Sequence, residues 1–235
     1  MFTTIFYQPI LNALVFLYNT IPDIGAAIIL LTVIIKLALW TLNNKALESQ
    51  KNLSRLQPKI EALKTQYKDD RKMLAQKTME LYKAENINPA SSCVPLLIQL
   101  PFLWAVFMVF KDGLAHGRLD LVYPFIHKPE SINPIAFFGL MDLSLPSIPL
   151  AVAAGVAQFF ATKMLMHARP PKTEGAKDES MAAMINKQMM YTMPIITVFI
   201  GLRLPGGLSL YWLVTTLLTI AQQYLILKDR DKKSS

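Results

Sequence analysis

Five apolar blocks, each close to the thickness of a bilayer, alternate with polar segments along this chain. A helix rises 1.5 Å per residue, so crossing the hydrocarbon core takes about 20 apolar residues. The first block covers residues 23–42, and beyond Asp23 its only charge is Lys36. The others cover 91–110, 150–166, 189–204 and 208–227. Pro95 and Pro101 fall inside the second, where lipid-embedded helices tolerate proline because neighbouring groups re-satisfy the freed backbone. Pro205, Gly206 and Gly207 predict a tight turn between the last two blocks.

Between the first two blocks the pattern changes. Across residues 43–90 apolar positions recur at helical spacing (Leu53, Leu56, Ile60, Leu63 and Tyr67, then Met73, Leu74, Met79 and Leu81), with charges on the other faces. The charged run at 68–70 interrupts them, which predicts two amphipathic helices folded into a hairpin. Pro58 kinks or breaks the first. In segment 1–22, Pro9 is a break, and residues 10–18, with Asn12 and Asn19 nearby, read as a short helix lying in the membrane interface. Residues 111–149 read as a mixed loop with a short apolar piece near 135–140, 167–188 as a flexible polar loop, and 228–235 as a basic tail. The pattern predicts an all-α membrane protein: five transmembrane helices, an N-terminal interfacial helix and a cytoplasmic helical hairpin.

Composition agrees, with 53% hydrophobic and 17% charged residues against about 25% charged in soluble domains. Charge also gives orientation. Lys and Arg number ten between 43 and 88, five between 163 and 187 and four in the tail, against four in the alternate loops. The positive-inside rule then puts the hairpin, the second polar loop and the C-terminus in the cytoplasm and the N-terminus outside, in a bacterial cytoplasmic (inner) membrane. The net charge of +8 suits anionic lipid before nucleic acid, so no direct nucleic-acid substrate is expected. The N-terminus lacks a basic n-region and a small-residue cleavage site, so no cleaved signal peptide is expected. Cys93 is the single cysteine, which excludes an intramolecular disulfide. The three histidines lack metal-ligand spacing. No phosphate-cradling glycine loop, G-x-S-x-G or H-E-x-x-H is present. The expectation is a protein with no catalytic residues, metal or cofactor.

Lys36 is the sharpest candidate. It falls roughly 16 Å along its helix from the outer end, where an isolated lysine costs about 2.5–3.5 kcal/mol near the bilayer centre. It either snorkels to the cytoplasmic headgroups or lines a wet cavity and offers positive charge to a passing acidic segment. Gln99, Gln158, Thr197 and Thr215 add polar groups to other spans, as do Thr219, Gln222 and Gln223. Each alone is ordinary interhelical hydrogen-bonding glue; together with Lys36 they fit a hydrophilic indentation. Tyr211 and Trp212 read by default as part of an aromatic interface belt. The competing reading is a small transporter or channel, but the repeated halves expected of a transporter are not evident.

Four stretches carry a resemblance: QPKIEALKTQYKDDRKMLAQKTMELYKAENINP at 57–89, CVPLLIQLPFLWAVF at 93–107, MPIITVFIGLRLPGGLSLYW at 193–212, and the pair Gln222 and Gln223. In that order they resemble the YidC/Oxa/Alb family of membrane-protein insertases and chaperones, in a compact version without a large extracytoplasmic domain. The resemblance implies five core helices around a hydrophilic groove open to the cytoplasm and lipid and closed outside. It also implies a protein that inserts and folds client membrane proteins without nucleotide hydrolysis. Lys36 takes the groove position that is usually arginine, keeping the charge but losing the bidentate fork. Gln99, Thr197 and Thr215 join it in the groove, and Gln158 and Trp212 fall on the slide along which a client leaves. The hairpin would capture clients through Lys59, Lys64, Lys68, Arg71 and Lys72. Client proteins and the bilayer are the implied partners, with the ribosome and a Sec translocon as further candidates.

Overall fold

Local signals set most helix ends. The computed structural model describes residues 2–68, 70–88, 94–111, 118–166 and 181–231. A π-helical turn, Thr3–Tyr7, runs directly into α1 (Gln8–Thr20). Pro9 comes just after the π-helical turn, and the helix runs on through it where a break was expected. Asp23 caps α2 (Ile24–Ala38) by accepting from the Ala26 N–H at 2.9 Å. Asp70 does the same for α4 (Arg71–Ala84), accepting from the Met73 N–H.

The first apolar block is divided. α2 stops at Leu39 and α3 (Trp40–Gln66) leaves at 71° to it, so residues 40–42 belong to the amphipathic helix. α3 continues through Pro58 without the break considered there. α5 (Val94–Lys111) follows, and then a loop holding a 3-10 turn (Leu119–Leu121) and a small antiparallel hairpin. In that hairpin β1 (Ile135–Ala136) pairs with β2 (Met141–Asp142), Ile135 opposite Asp142. α6 (Ile148–Met166), α7 (Met181–Gly201) and α8 (Gly206–Asp231) complete the chain. α7 already begins within the stretch whose composition reads as a loop; residues 167–180 and 232–235 lie outside the described residues. Among the described residues no single helix is long and apolar enough to cross a membrane; α2 and α3 meet that test only together, as a bent pair.

α6 shows how the helices pack. Ala151, Ala154, Gly155, Ala157 and Ala161 are buried, whereas Ile148, Val152, Val156 and Phe160 are exposed. Small residues inside and large apolar ones outside reverse the soluble pattern and match helices surrounded by lipid. A Cβ at Gly155 would lie 2.4 Å from Val198, and one at Gly201 would lie 2.8 Å from Ala151. Both glycines permit close approach of α6 and α7.

The core lies at the α1 end. Leu14 and Val15 of α1 meet Ile28 of α2, Val106 of α5 and Leu208 of α8, with Ile132 and Leu143 from the long loop. Asn12, buried in α1, fixes that loop. Its Oδ1 accepts from the Tyr123 N–H at 2.6 Å, and its Nδ2 donates to the Leu121 carbonyl at 3.1 Å. Asn19 Nδ2 donates to the His127 carbonyl, and the Tyr18 hydroxyl accepts from the Asn133 N–H. α1, read from the sequence as a short interfacial helix, packs its buried face into the core.

Candidate functional site

Spacing on α8 organises the site. Tyr211, Thr215 and Thr219 recur every four residues, which places them on one helical face. α2 packs beside this face and α5 meets α8 at its α1 end. Each contributes a polar partner. Lys36 of α2 donates from Nζ to Thr219 Oγ1 at 2.8 Å, and no carboxylate among the described residues pairs with it. Gln99 of α5 donates from Nε2 to the Tyr211 hydroxyl. Between these contacts the Thr215 hydroxyl is buried, one turn from the Tyr211 hydroxyl.

The stripe continues to the α2–α3 corner. Gln222 Nε2 donates to the Trp40 carbonyl at 3.2 Å and to Asn44 Oδ1. Trp40 and Asn44 both belong to the first turns of α3, so one buried amide ties α8 to the start of the hairpin. The neighbouring Gln223 has a buried Oε1 that lacks a partner. Thus the polar groups run from Gln99 and Tyr211, through Thr215, Thr219 and Lys36, to Gln222. At the α1 end the stripe is closed by packing: Tyr211 is only 1% exposed, and a Cβ on Gly207 would lie 2.2 Å from the Phe110 ring. Lys36, near the other end, is half-buried.

Of the sequence candidates, Lys36, Gln99 and Thr215 come together on α8. Trp212 is half-buried beside Tyr211, and its carbonyl accepts from Thr216 Oγ1. Gln158 is half-buried on α6, where its carbonyl accepts from Thr162 Oγ1. Thr197 is buried on α7, which packs mainly on α6. No hydrogen bond among the described residues joins Gln158 or Thr197 to the stripe. The structure corrects Tyr211, which is a buried hydrogen-bonding partner and not a member of an aromatic belt. Its spacing from Thr215 and Thr219 is the signal that could have placed it.

The hairpin holds a different chemistry. α3 and α4 lie side by side around a shallow cleft of about 400 Å³, lined by Ala62 and Leu63 of one helix and Leu81 and Ala84 of the other. Lys59 pairs with Glu85 across it, and Lys77 pairs with Glu80 at 2.7 Å along α4. The Lys77 contact holds the Glu80 carboxyl below its usual range. Partial burial pulls the Lys64 ammonium down, and Glu61 opposes this. Lys68, Arg71 and Lys72 are exposed around the turn.

Comparison with known proteins places the chain among relatives. The family described as 60Kd inner membrane protein matches residues 16–233. A membrane protein insertase YidC of Fusobacterium nucleatum subsp. nucleatum is 33% identical over 226 residues, covering 94% of this chain and 97% of the relative. The YidC of Syntrophus aciditrophicus is 35% identical, covering 94% of this chain and 36% of that protein. The YidC of Rickettsia felis is 33% identical, covering 94% of this chain and 38% of that protein. The chain thus spans nearly all of the first relative and little more than a third of the other two.

Proposed function

The chain belongs to the 60Kd inner membrane protein family, the YidC insertases, and on that premise we propose that it inserts client segments into a bacterial inner membrane along the polar stripe of α8. The family is not one of classical enzymes, and its members' work implies client membrane proteins and lipid as partners. In our reading α2, α5, α6, α7 and α8 are the five spans. The α3–α4 hairpin and the C-terminus face the cytoplasm, and the N-terminus faces outside. The apolar faces exposed on these helices, such as Ile34 on α2, Trp104 on α5 and Phe199 on α7, then meet lipid chains. As solvent-facing surface they would form unusually large apolar patches.

One observation carries the mechanism. The Lys36 ammonium rests on a neutral hydroxyl, Thr219 Oγ1 at 2.8 Å, and pairs with no acid among the described residues. A cation held this way keeps its charge available. A client with a short acidic tail must cross hydrocarbon, where charge is costly. The stripe supplies polar groups over part of that path, and Lys36 supplies a transient counter-charge. The client leaves once its apolar segment partitions into lipid, favoured by about 25 cal/mol per Å² of apolar surface removed from water. The packed core at the α1 end closes the path outward. No step calls for nucleotide. The basic hairpin and C-terminal helix suit cytoplasmic capture of clients, and a ribosome or Sec translocon would dock on that same side.

The test is complementation. The endogenous insertase is depleted in a bacterial host, and this chain is supplied as wild type, Lys36→Arg, Lys36→Ala or Lys36→Glu. Protease protection then reports insertion of a single-span client with an acidic translocated tail. Wild type and Lys36→Arg are expected to restore insertion, Lys36→Ala to weaken it and Lys36→Glu to weaken it more. Equal insertion by all four would show that Lys36 only snorkels and would remove it from the mechanism.

A further inference from the structure

The insertion mechanism leaves the β1–β2 tip unused, although it exposes large apolar side chains. Phe138 is fully exposed (103%) and Leu140 is 84% exposed. Further along the chain come Leu145 at 60% and Ile148 at 67%. Ile148 is also the first member of the α6 stripe that continues through Val152, Val156 and Phe160. In chain order these residues run from the tip to the first turn of α6, whose exposed face is read as facing lipid.

We infer that this tip is a lipid-docking wedge that sits in the interfacial layer of the outer leaflet. The inference rests on the five-span reading, which puts the loop outside and α6 in the bilayer. The tip's anchoring at the first turns of α2 and α8 selects lipid as the occupant, since an exposed apolar tip held at the outer ends of spanning helices meets headgroups and acyl chains first. An apolar element at this depth is held by the area it buries at the headgroup boundary.

The tip is also held in a fixed place. Phe137 packs on Gly25 at the start of α2, where a Cβ would lie 2.7 Å from the ring. The Phe138 N–H points to Asp23 Oδ2 at 3.4 Å. The Leu145 and Leu143 carbonyls accept from the Gly206 and Gly207 N–H groups at 2.8 and 3.0 Å, at the start of α8. Phe137 and Phe138 hold φ of 54° and 58°, a left-handed conformation that bulky residues rarely adopt. The fold thus maintains a disfavoured backbone that leaves Phe138 pointing away from the protein. Through these anchors the wedge would set the depth at which the outer ends of α2 and α8 sit.

Spin labelling tests this in the full chain. With the single cysteine removed by Cys93→Ser, labels are placed one at a time through Phe138→Cys, Leu140→Cys, Val156→Cys and Glu130→Cys. The proteins are reconstituted into phosphatidylethanolamine–phosphatidylglycerol vesicles, and collisions with oxygen are compared with those of a water-soluble nickel chelate. The expected oxygen-to-nickel ratio at 138 and 140 is several-fold above that at 130 and below that at 156. Ratios at 138 and 140 equal to that at 130 would overturn the proposal while leaving the spans intact. Labels at 138 and 140 shielded from both reagents would overturn it too, by showing a protein or a second copy over the tip. A water-like ratio at 156 would instead overturn the five-span reading, and the wedge with it.

Discussion

The α1 end of the bundle and the α3–α4 hairpin are both largely helical, yet they are held by opposite means. At the α1 end, buried side chains from α1, α2, α5, α8 and the long loop share one core, and Asn12 pins the loop across more than a hundred residues. In the hairpin α4 buries no residue, and the contacts across the cleft are a few alanines and leucines with an exposed ion pair. Buried apolar area and satisfied buried polar groups make a cooperative wall, whereas exposed pairs contribute little. The difference teaches that one end of this molecule is held by a core shared among many elements, and that α4 is held by few and mostly exposed contacts.

The comparison can be broken most forcefully at its rigid end. Asn12→Leu leaves the buried Tyr123 N–H without its acceptor, at a cost of about 1–3 kcal/mol. Thermal unfolding in detergent should show a clearly lowered midpoint, and an unchanged one would mean that the loop is not held there. A middle effect is expected at the joint between the two regions. Gln222→Leu removes the donor to Trp40 and Asn44 and should cost about 1 kcal/mol. Its clearer signature is a broader distribution of distances between spin labels on α4 and α8. A distribution as narrow as wild type would show that the corner is set by backbone packing alone. The smallest effect belongs to Lys59→Ala, which removes a solvent-exposed pair with Glu85 and should change stability by less than about 1 kcal/mol, diminishing further in high salt. A loss as large as that of Asn12→Leu would erase the contrast between the two regions.

The parts of this picture visible in sequence are those that depend on neighbours along the chain. Helix-length apolar blocks, the unaccompanied charge of Lys36 and the amphipathic hairpin all follow from local spacing and solvation. The break read at Pro9 is not present, because the π-helical turn before it runs on into α1, and of the two readings of Pro58 the break is excluded because α3 runs on through it. Leu39 gives no warning of a 71° corner, as neither proline nor glycine marks it. Asn12 reads as a polar mark of an interfacial helix, and its role in holding the loop is hidden because its partners lie 109 and 111 residues away. On the stripe the periodicity was present in Tyr211, Thr215 and Thr219, but only the packing of α2 and α5 shows that Lys36 and Gln99 meet it.

The corner at Leu39 has a mechanical consequence. α3 has 27 residues, so it forms a rod about 40 Å long pivoting at one end. A rocking of about 10° at the pivot carries the far tip roughly 7 Å, more than one helical pitch. The Gln222 amide sits against that pivot, one turn of α8 from the hydroxyl that holds Lys36. A single hydrogen-bonding side chain thus sits where a small change of angle would be most amplified.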